Sequence, residues 1–103
     1  MPGEASYVTL FQPEFPDDLR RLPANVRERI LTAVEKRLGQ APDQYGQRLR
    51  QSLHGYWKLR GGDHRVVYEI VGRDVRVYGA LHRRDVYTAI SRRTTRGWPP
   101  GPR

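Results

Sequence analysis

Cationic, aromatic and imidazole side chains are concentrated in two short stretches of this 103-residue chain. Residues 55–68 include Lys58, Arg60 and Arg65, and residues 82–87 read His-Arg-Arg-Asp-Val-Tyr. Guanidinium and ammonium groups bind phosphate oxygens. Histidine and tyrosine side chains transfer protons in many enzymes. Together these residue types indicate phosphate chemistry carried out without a metal ion.

The overall composition supports a polyanionic partner. The formal net charge is +8, from 19 Lys and Arg against 11 Asp and Glu. Such a charge favours nucleic acid, an acidic membrane surface or an acidic protein. The chain has no cysteine, and its three histidines lack the spacing of a zinc site. We therefore expect no disulfide, no metal and no cofactor.

The sequence also indicates a compartment and a domain organisation. It has neither an N-terminal signal pattern nor an apolar run of about 20 residues. We therefore expect a cytoplasmic protein with no membrane contact. The length fits a single domain. We place this domain at residues 1–93 and expect the Pro-, Gly- and Arg-rich stretch 94–103 to be a flexible tail.

Periodicity predicts the elements that position the reactive stretches. Residues 7–11 alternate in character and predict a first strand. A short helix then ends near Leu22, and Pro23 opens a longer helix whose apolar residues recur every four positions until Gly39. Glycine-rich turns separate three later strands, which predicts an antiparallel meander followed by a short helix.

Alternation sorts the side chains of the meander onto two faces. The first face is apolar and matches the apolar stripe of the long helix: Trp57, Leu59, Val66, Tyr68, Ile70, Val75, Val77 and Leu81. The second mixes cations with tyrosines: Tyr56, Lys58, Arg60, Arg65, Val67, Glu69, Arg76, Tyr78 and His82. Cations hold phosphates and aromatic rings stack on unpaired bases, so the second face predicts binding of single-stranded RNA. A merely solvated outer face is the alternative.

The ordered set of motifs resembles the RelE/ParE toxin superfamily, and within it the RelE-like ribonuclease branch. The motifs are Gly-Tyr-Trp-Lys-Leu-Arg at 55–60, Asp-His-Arg-Val-Val-Tyr at 63–68 and the stretch at 82–87. The similarity covers roughly residues 7 to 92. It implies an α+β fold in which two N-terminal helices pack on a four-stranded, mostly antiparallel sheet, with a short C-terminal helix.

The resemblance also implies a function. RelE-like proteins are toxins of type II toxin-antitoxin systems that cut mRNA in the ribosomal A site and thereby inhibit translation. The implied partners are a cognate antitoxin, in a heterotetramer or larger complex, together with the ribosome and mRNA. The implied enzyme is an endoribonuclease that acts through attack of the RNA 2'-hydroxyl.

Carried over position by position, the resemblance assigns a site. The catalytic cations fall on Lys58, Arg65 and Arg83, and the C-terminal tyrosine on Tyr87, with His82 as an acid or base. Arg65 is the expected phosphate clamp, because a guanidinium binds two oxygens at once. Lys58 is a second electrostatic contact or an acid, so the choice of acid and base stays open. The expected RNA-binding residues are Tyr56, Arg60, Arg76, Tyr78 and Arg84.

Several alternatives remain at this point. A ParE-like toxin has the same fold but inhibits DNA gyrase without nuclease activity, and a third possibility is a non-catalytic domain that binds RNA or the ribosome. Individual residues also have structural interpretations. His82 would then be a residue of the strand end, Tyr87 a core anchor for the last helix, and Arg65 the ion-pair partner of Glu69.

Overall fold

A computed structural model describes residues 7–98 of the chain. The sheet contains five strands: β1 Val8–Phe11, β2 Gln47–Arg48, β3 Trp57–Gly61, β4 His64–Val71 and β5 Asp74–His82. They lie in the order β1-β5-β4-β3-β2. β1 runs parallel to β5, and the other neighbouring strands are antiparallel. The meander β3-β4-β5 confirms the prediction. The sheet has five strands, whereas four were predicted. The additional strand is β2, two residues of the connection after the long helix that pair with β3.

The helices confirm the predicted α+β class. The helices are α1 Glu14–Arg20, α2 Ala24–Ala33, α3 Pro42–Tyr45 and α4 Val86–Thr95. α2 continues as one turn of π-helix, Val34–Leu38, and ends at Gly39. A 3-10 turn, Gln51–Leu53, precedes β3. None of the helices within residues 7–98 is long and apolar enough to cross a membrane.

Regular structure continues past residue 93, where the sequence predicts the end of the domain, because α4 runs through Thr95. Trp98 then packs against the second core cluster, with its ring centroid 5.2 Å from that of Tyr78. Residues up to 98 are therefore part of the domain, and residues 99–103 of the predicted tail lie outside the described part of the chain.

The first core fills the space between the sheet and helices α1 and α2. Burial of apolar side chains on one face of each element stabilises this layer. Its buried members include Phe15 of α1, Ile30 of α2 and Leu59, Val66 and Val75 of the sheet. This layer matches the apolar face predicted from alternation.

A second core lies on the opposite face of the sheet, and the sequence did not predict it. α4 covers this face, so that Val67, Tyr78, Val86 and Ile90 are buried together. Val67 and Tyr78, two residues of the face predicted to be cationic and open, are therefore interior. The part of this face towards β3 and the β3–β4 turn is not covered by α4 and contains the exposed Arg60.

A β-bulge in β5 explains a further difference from the predicted faces. Val67 pairs with Gly79 but Tyr68 pairs with Val77, which leaves Tyr78 as an extra residue. An extra residue reverses the alternation for the remainder of its strand. Leu81 consequently packs in the second core rather than the first, and His82 pairs with His64 on the face of α1 and α2.

Candidate active site

A strip of cations lies on the uncovered part of the second face. Arg60 and Arg65 are cross-strand partners, and Lys58 lies two residues before Arg60, opposite Val67. Side chains two apart on a strand share a face, so all three cations project to the same side. Arg83 follows β5, and its N–H donates to the carbonyl of Asp63 in the β3–β4 turn at 2.8 Å. We call Lys58, Arg60, Arg65 and Arg83 the cationic strip.

Arg65 lies at the centre of this strip. Its Nη1 donates to the carbonyl oxygens of Gly62, at 2.9 Å, and of His64, at 3.0 Å. Partial burial lowers the pKa of Arg65, and repulsion from Arg60 and Arg83 lowers it further, against attraction from Asp63. Positive charges that repel one another in this way are stabilised by a bound anion.

The alternative role of Arg65 as an ion-pair partner of Glu69 is wrong. Glu69 instead accepts a hydrogen bond from the hydroxyl of Tyr78 at 3.2 Å. Its carboxylate also lies 3.9 Å from Nη1 of Arg76. The hydrogen bonds of the Arg65 guanidinium go to backbone carbonyls of the adjoining turn, so its positive charge is not neutralised by Glu69.

Tyr87 lies beside the strip, in the first turn of α4. Its side chain is 38% exposed, so it is not the core anchor considered as an alternative. Its hydroxyl oxygen accepts the backbone N–H of Arg50 at 3.1 Å. With Lys58, Arg50 and Gln51 it lines an open pocket of about 350 Å³. Arg50 and Gln51 could not be predicted from the sequence as site residues, because they lie in a connection without periodicity.

His82 is not part of this arrangement. Because the bulge turns it to the opposite face, its ring lies against that of His64, with centroids 5.5 Å apart. Its Nδ1 also lies 3.3 Å from the backbone N–H of Arg84, which donates to it. The predicted role of His82 as an acid or base beside Lys58 and Arg65 therefore does not fit its position.

Of the predicted aromatic platform for RNA bases, Tyr78 is interior and Tyr56 is half-buried. Tyr78 is 2% exposed, and its ring meets that of Tyr56 edge-on at 5.5 Å and that of Trp98 at 5.2 Å. Burial raises the pKa of Tyr56, and nearby Glu69 raises it further. Stacking of a base on Tyr78 would require α4 to move, so the predicted role of Tyr78 in RNA binding is wrong for this conformation.

The other predicted RNA-binding residues are divided between interior contacts and the surface. Arg76 lies over the ring of Trp98, 5.5 Å from its centroid, and close to Glu69. These contacts hold Arg76 within the fold rather than in the strip. Arg60 and Arg84 are exposed, and Arg84 follows Arg83 in the turn before α4. Among residues 7–98, no group of three or more acidic or histidine side chains is arranged to hold a metal ion.

Known structures share this arrangement of sheet and helices. A chain of the toxin-antitoxin complex RelBE2 from Mycobacterium tuberculosis is 26% identical, with a TM-score of 0.69, over 76% of this chain and 99% of that chain. A chain of the RelB-RelE antitoxin-toxin complex from Methanococcus jannaschii is also 26% identical, with a TM-score of 0.60, over 78% and 96%. The free toxin RelE of E. coli, in a mutant form, shares the fold at 20% identity, with a TM-score of 0.67, over 90% and 99%.

Fold and sequence together define a toxin of a type II toxin-antitoxin system. Residues 10–87 match the model of the ParE toxin of the type II toxin-antitoxin system parDE. No curated protein is similar enough to count as a match. The chain belongs to the ParE toxin family, within the RelE/ParE superfamily.

Proposed function

We propose that this toxin is a ribosome-dependent, metal-free endoribonuclease that cleaves mRNA in the A site and inhibits translation. The observation that carries the proposal is the cationic strip, in which Arg65 is flanked by Arg60 and Arg83, while Lys58 shares a pocket with Tyr87. Phosphate-binding cations therefore adjoin two groups that are able to exchange a proton.

The proposed reaction needs three contributions from the protein. The 2'-oxygen of the RNA attacks phosphorus and loses its proton, the bond from phosphorus to the 5'-oxygen breaks, and that oxygen gains a proton. Arg65 and Arg83 bind the phosphate oxygens on which negative charge increases. Lys58 and Tyr87 are the remaining candidates for the two proton transfers, because His82 lies on the other face of the sheet.

An antitoxin is the proposed partner. The related complexes from M. tuberculosis and M. jannaschii each contain an antitoxin with the toxin. Because this chain carries a net charge of +8, we propose that an acidic segment of its antitoxin covers the cationic strip, in a heterotetramer or larger complex. Lys58 and Arg65 should then be protected from chemical modification in the complex.

A ParE-like inhibitor of DNA gyrase is the second candidate. It is favoured by the family model that matches the chain, which describes ParE toxins. Such a toxin acts by binding and requires no acid, no base and no phosphate clamp. The pairing of Lys58 with Tyr87 in one pocket would then have no role in toxicity.

One experiment separates the candidates. Purified toxin is added to a translation reaction, and the mRNA is mapped by primer extension. Cuts positioned by codon in the A site support the ribonuclease. Intact mRNA together with inhibited supercoiling by gyrase selects the ParE-like function instead. Inhibited translation with intact mRNA and normal supercoiling would indicate a domain that binds RNA or the ribosome without catalysis.

A further inference from the structure

The turn before β3 contains a backbone conformation that is rare for its residue type. Within residues 7–98, Gln51 is the non-glycine residue with a positive φ, at 57°. This left-handed region is unfavourable for side chains with a Cβ and persists where the surrounding structure enforces it. Such residues are concentrated at functional sites, and Gln51 lines the pocket that contains Lys58 and Tyr87.

The turn is held firmly on both sides. Leu49 and Leu53 are 3% and 5% exposed and belong to the second core. The N–H of Leu49 donates to the carbonyl of Tyr56 at 2.9 Å, and the N–H of Leu53 donates to the carbonyl of Arg50 at 3.1 Å. Between these anchored residues, Arg50 directs its N–H away from the backbone ladder and towards Tyr87.

We propose that the turn at Arg50 and Gln51 is a positioning device for Tyr87. Its left-handed residue lets the chain close the turn between Leu49 and Leu53 while the Arg50 N–H points at the phenol oxygen, and this bond fixes the ring at the pocket shared with Lys58. Because the oxygen accepts this bond, the phenol's own proton is not used in it and can pass to the departing 5'-oxygen. The inference deepens the proposed ribonuclease function and rests on it.

Two variants of Gln51 separate the backbone of the turn from the side chain. Gln51→Gly removes the amide but keeps a positive φ without strain. Gln51→Val disfavours that φ and should distort the turn, which moves the Arg50 N–H away from Tyr87. We expect Gln51→Gly to cleave mRNA on programmed ribosomes clearly faster than Gln51→Val, because it keeps the backbone of the turn. Gln51→Val should lower kcat by about tenfold to a hundredfold with little change in KM, since small misplacements have effects of that size.

Tyr87→Phe supplies the test of coupling. In this background Gln51→Val should cause no further loss of kcat, because the bond that it disrupts is already absent. An equal loss in Gln51→Gly and Gln51→Val would overturn the proposal by making the side-chain amide the important group. Wild-type activity in Gln51→Val, or an undiminished further loss in the Tyr87→Phe background, would overturn it as well.

A second measurement does not depend on ribonuclease activity. Hydrogen exchange of the Arg50 amide, measured by NMR and corrected for the residue type at position 51, reports its hydrogen bond. Exchange should be faster than in the wild type in Tyr87→Phe and in Gln51→Val but not in Gln51→Gly. If the wild-type protein cleaves no mRNA, the proposed function fails while this result still decides whether the turn holds Tyr87. An unchanged exchange rate of the Arg50 amide in both Tyr87→Phe and Gln51→Val contradicts the positioning role whatever the activity.

Discussion

Arg93 of α4 forms a largely buried ion pair with two hydrogen bonds to the buried Asp18 of α1. Nη1 lies 2.7 Å from Oδ2, and Nη2 lies 3.0 Å from Oδ1. The same Oδ2 accepts the N–H of Ala80 at 2.9 Å, while Nη1 also donates to the carbonyl of Tyr78 at 3.1 Å. One pair of side chains thus joins α1, the bulge of β5 and α4, and with them the two cores.

Removing one partner of this pair should destabilise the fold strongly. Arg93→Met leaves the carboxylate of Asp18 buried without its cation, which typically reduces the free energy of unfolding by about 3–5 kcal/mol. Arg96→Met is the matched control, because Arg96 also pairs with an acid of α1, Glu14, but is exposed. Its expected effect is about 0–1 kcal/mol. Urea unfolding of both variants measures the difference, and equal losses would contradict a special role for Arg93.

Gly79 should not tolerate a side chain. An added Cβ would lie 2.8 Å from Oδ2 of Asp18 and closer still to Nη1 of Arg93, nearer than non-bonded atoms can approach. Gly79→Ala should therefore reduce the free energy of unfolding by about 1–3 kcal/mol. Gly55→Ala is the control, since a Cβ there meets nothing within 4 Å. If thermal unfolding shows the same effect for both, the close approach at Gly79 is not limiting.

The faces of the strands could be predicted from the sequence only as far as the bulge in β5. Strict alternation places Lys58, Arg60 and Arg65 correctly, because β3 and the adjoining part of β4 pair without interruption. It fails for Leu81 and His82, which follow the extra residue Tyr78 in β5. The bulge accompanies the contacts of Asp18 and Arg93 with the backbone at Tyr78 and Ala80. These two charges are 75 residues apart, and no local pattern relates them.

The site could likewise be predicted only in part. Arg65 and Lys58 are identifiable because they stand at fixed positions in regular strands. Arg50 and Gln51 are not, since their contribution comes from backbone geometry in an irregular turn. The second core could not be predicted from the sequence, for a different reason. A tyrosine such as Tyr78 fits equally well on an exposed aromatic platform or beneath a helix, and which applies depends on where α4 packs.

Replacement of Arg65 should affect cleavage, whereas replacement of Arg76 should affect stability. Arg65→Ala removes the central cation of the strip, so we expect cleavage on programmed ribosomes to fall by about a hundredfold or more. Its free energy of unfolding should change little, because its hydrogen bonds go to adjoining backbone carbonyls. Arg76→Ala should instead lower stability, through lost contact with Trp98 and Glu69, and leave cleavage nearly unchanged.

Primer extension and urea unfolding of both proteins test this separation. Full activity in Arg65→Ala would show that Arg65 is not the phosphate clamp. Loss of activity in a folded Arg76→Ala protein would extend the site to the covered end of the sheet, contrary to the position of Trp98 over that guanidinium.

His82 should be dispensable for cleavage. It pairs with His64 on the face of α1 and α2, away from Lys58 and Arg65. His82→Gln should therefore retain a cleavage rate within about twofold of wild type, whereas loss of a true general acid or base costs about a hundredfold or more. Single-turnover rates on programmed ribosomes provide the measurement. A large loss of cleavage rate in a folded His82→Gln protein would show that His82 takes part in proton transfer after all.

His64 should make stability depend on pH. Burial lowers its pKa below the usual 6.5, and the neighbouring His82 lowers it further. The unfolded chain then binds a proton more readily than the folded one, so stability is lost as the pH falls below about 6.5. His64→Gln should reduce the difference in unfolding free energy between about pH 8 and about pH 5. His82→Gln should reduce it by a smaller amount, since it removes only the second cause. Urea unfolding at both pH values tests this, and an unchanged difference in His64→Gln would show that other groups produce the acid sensitivity.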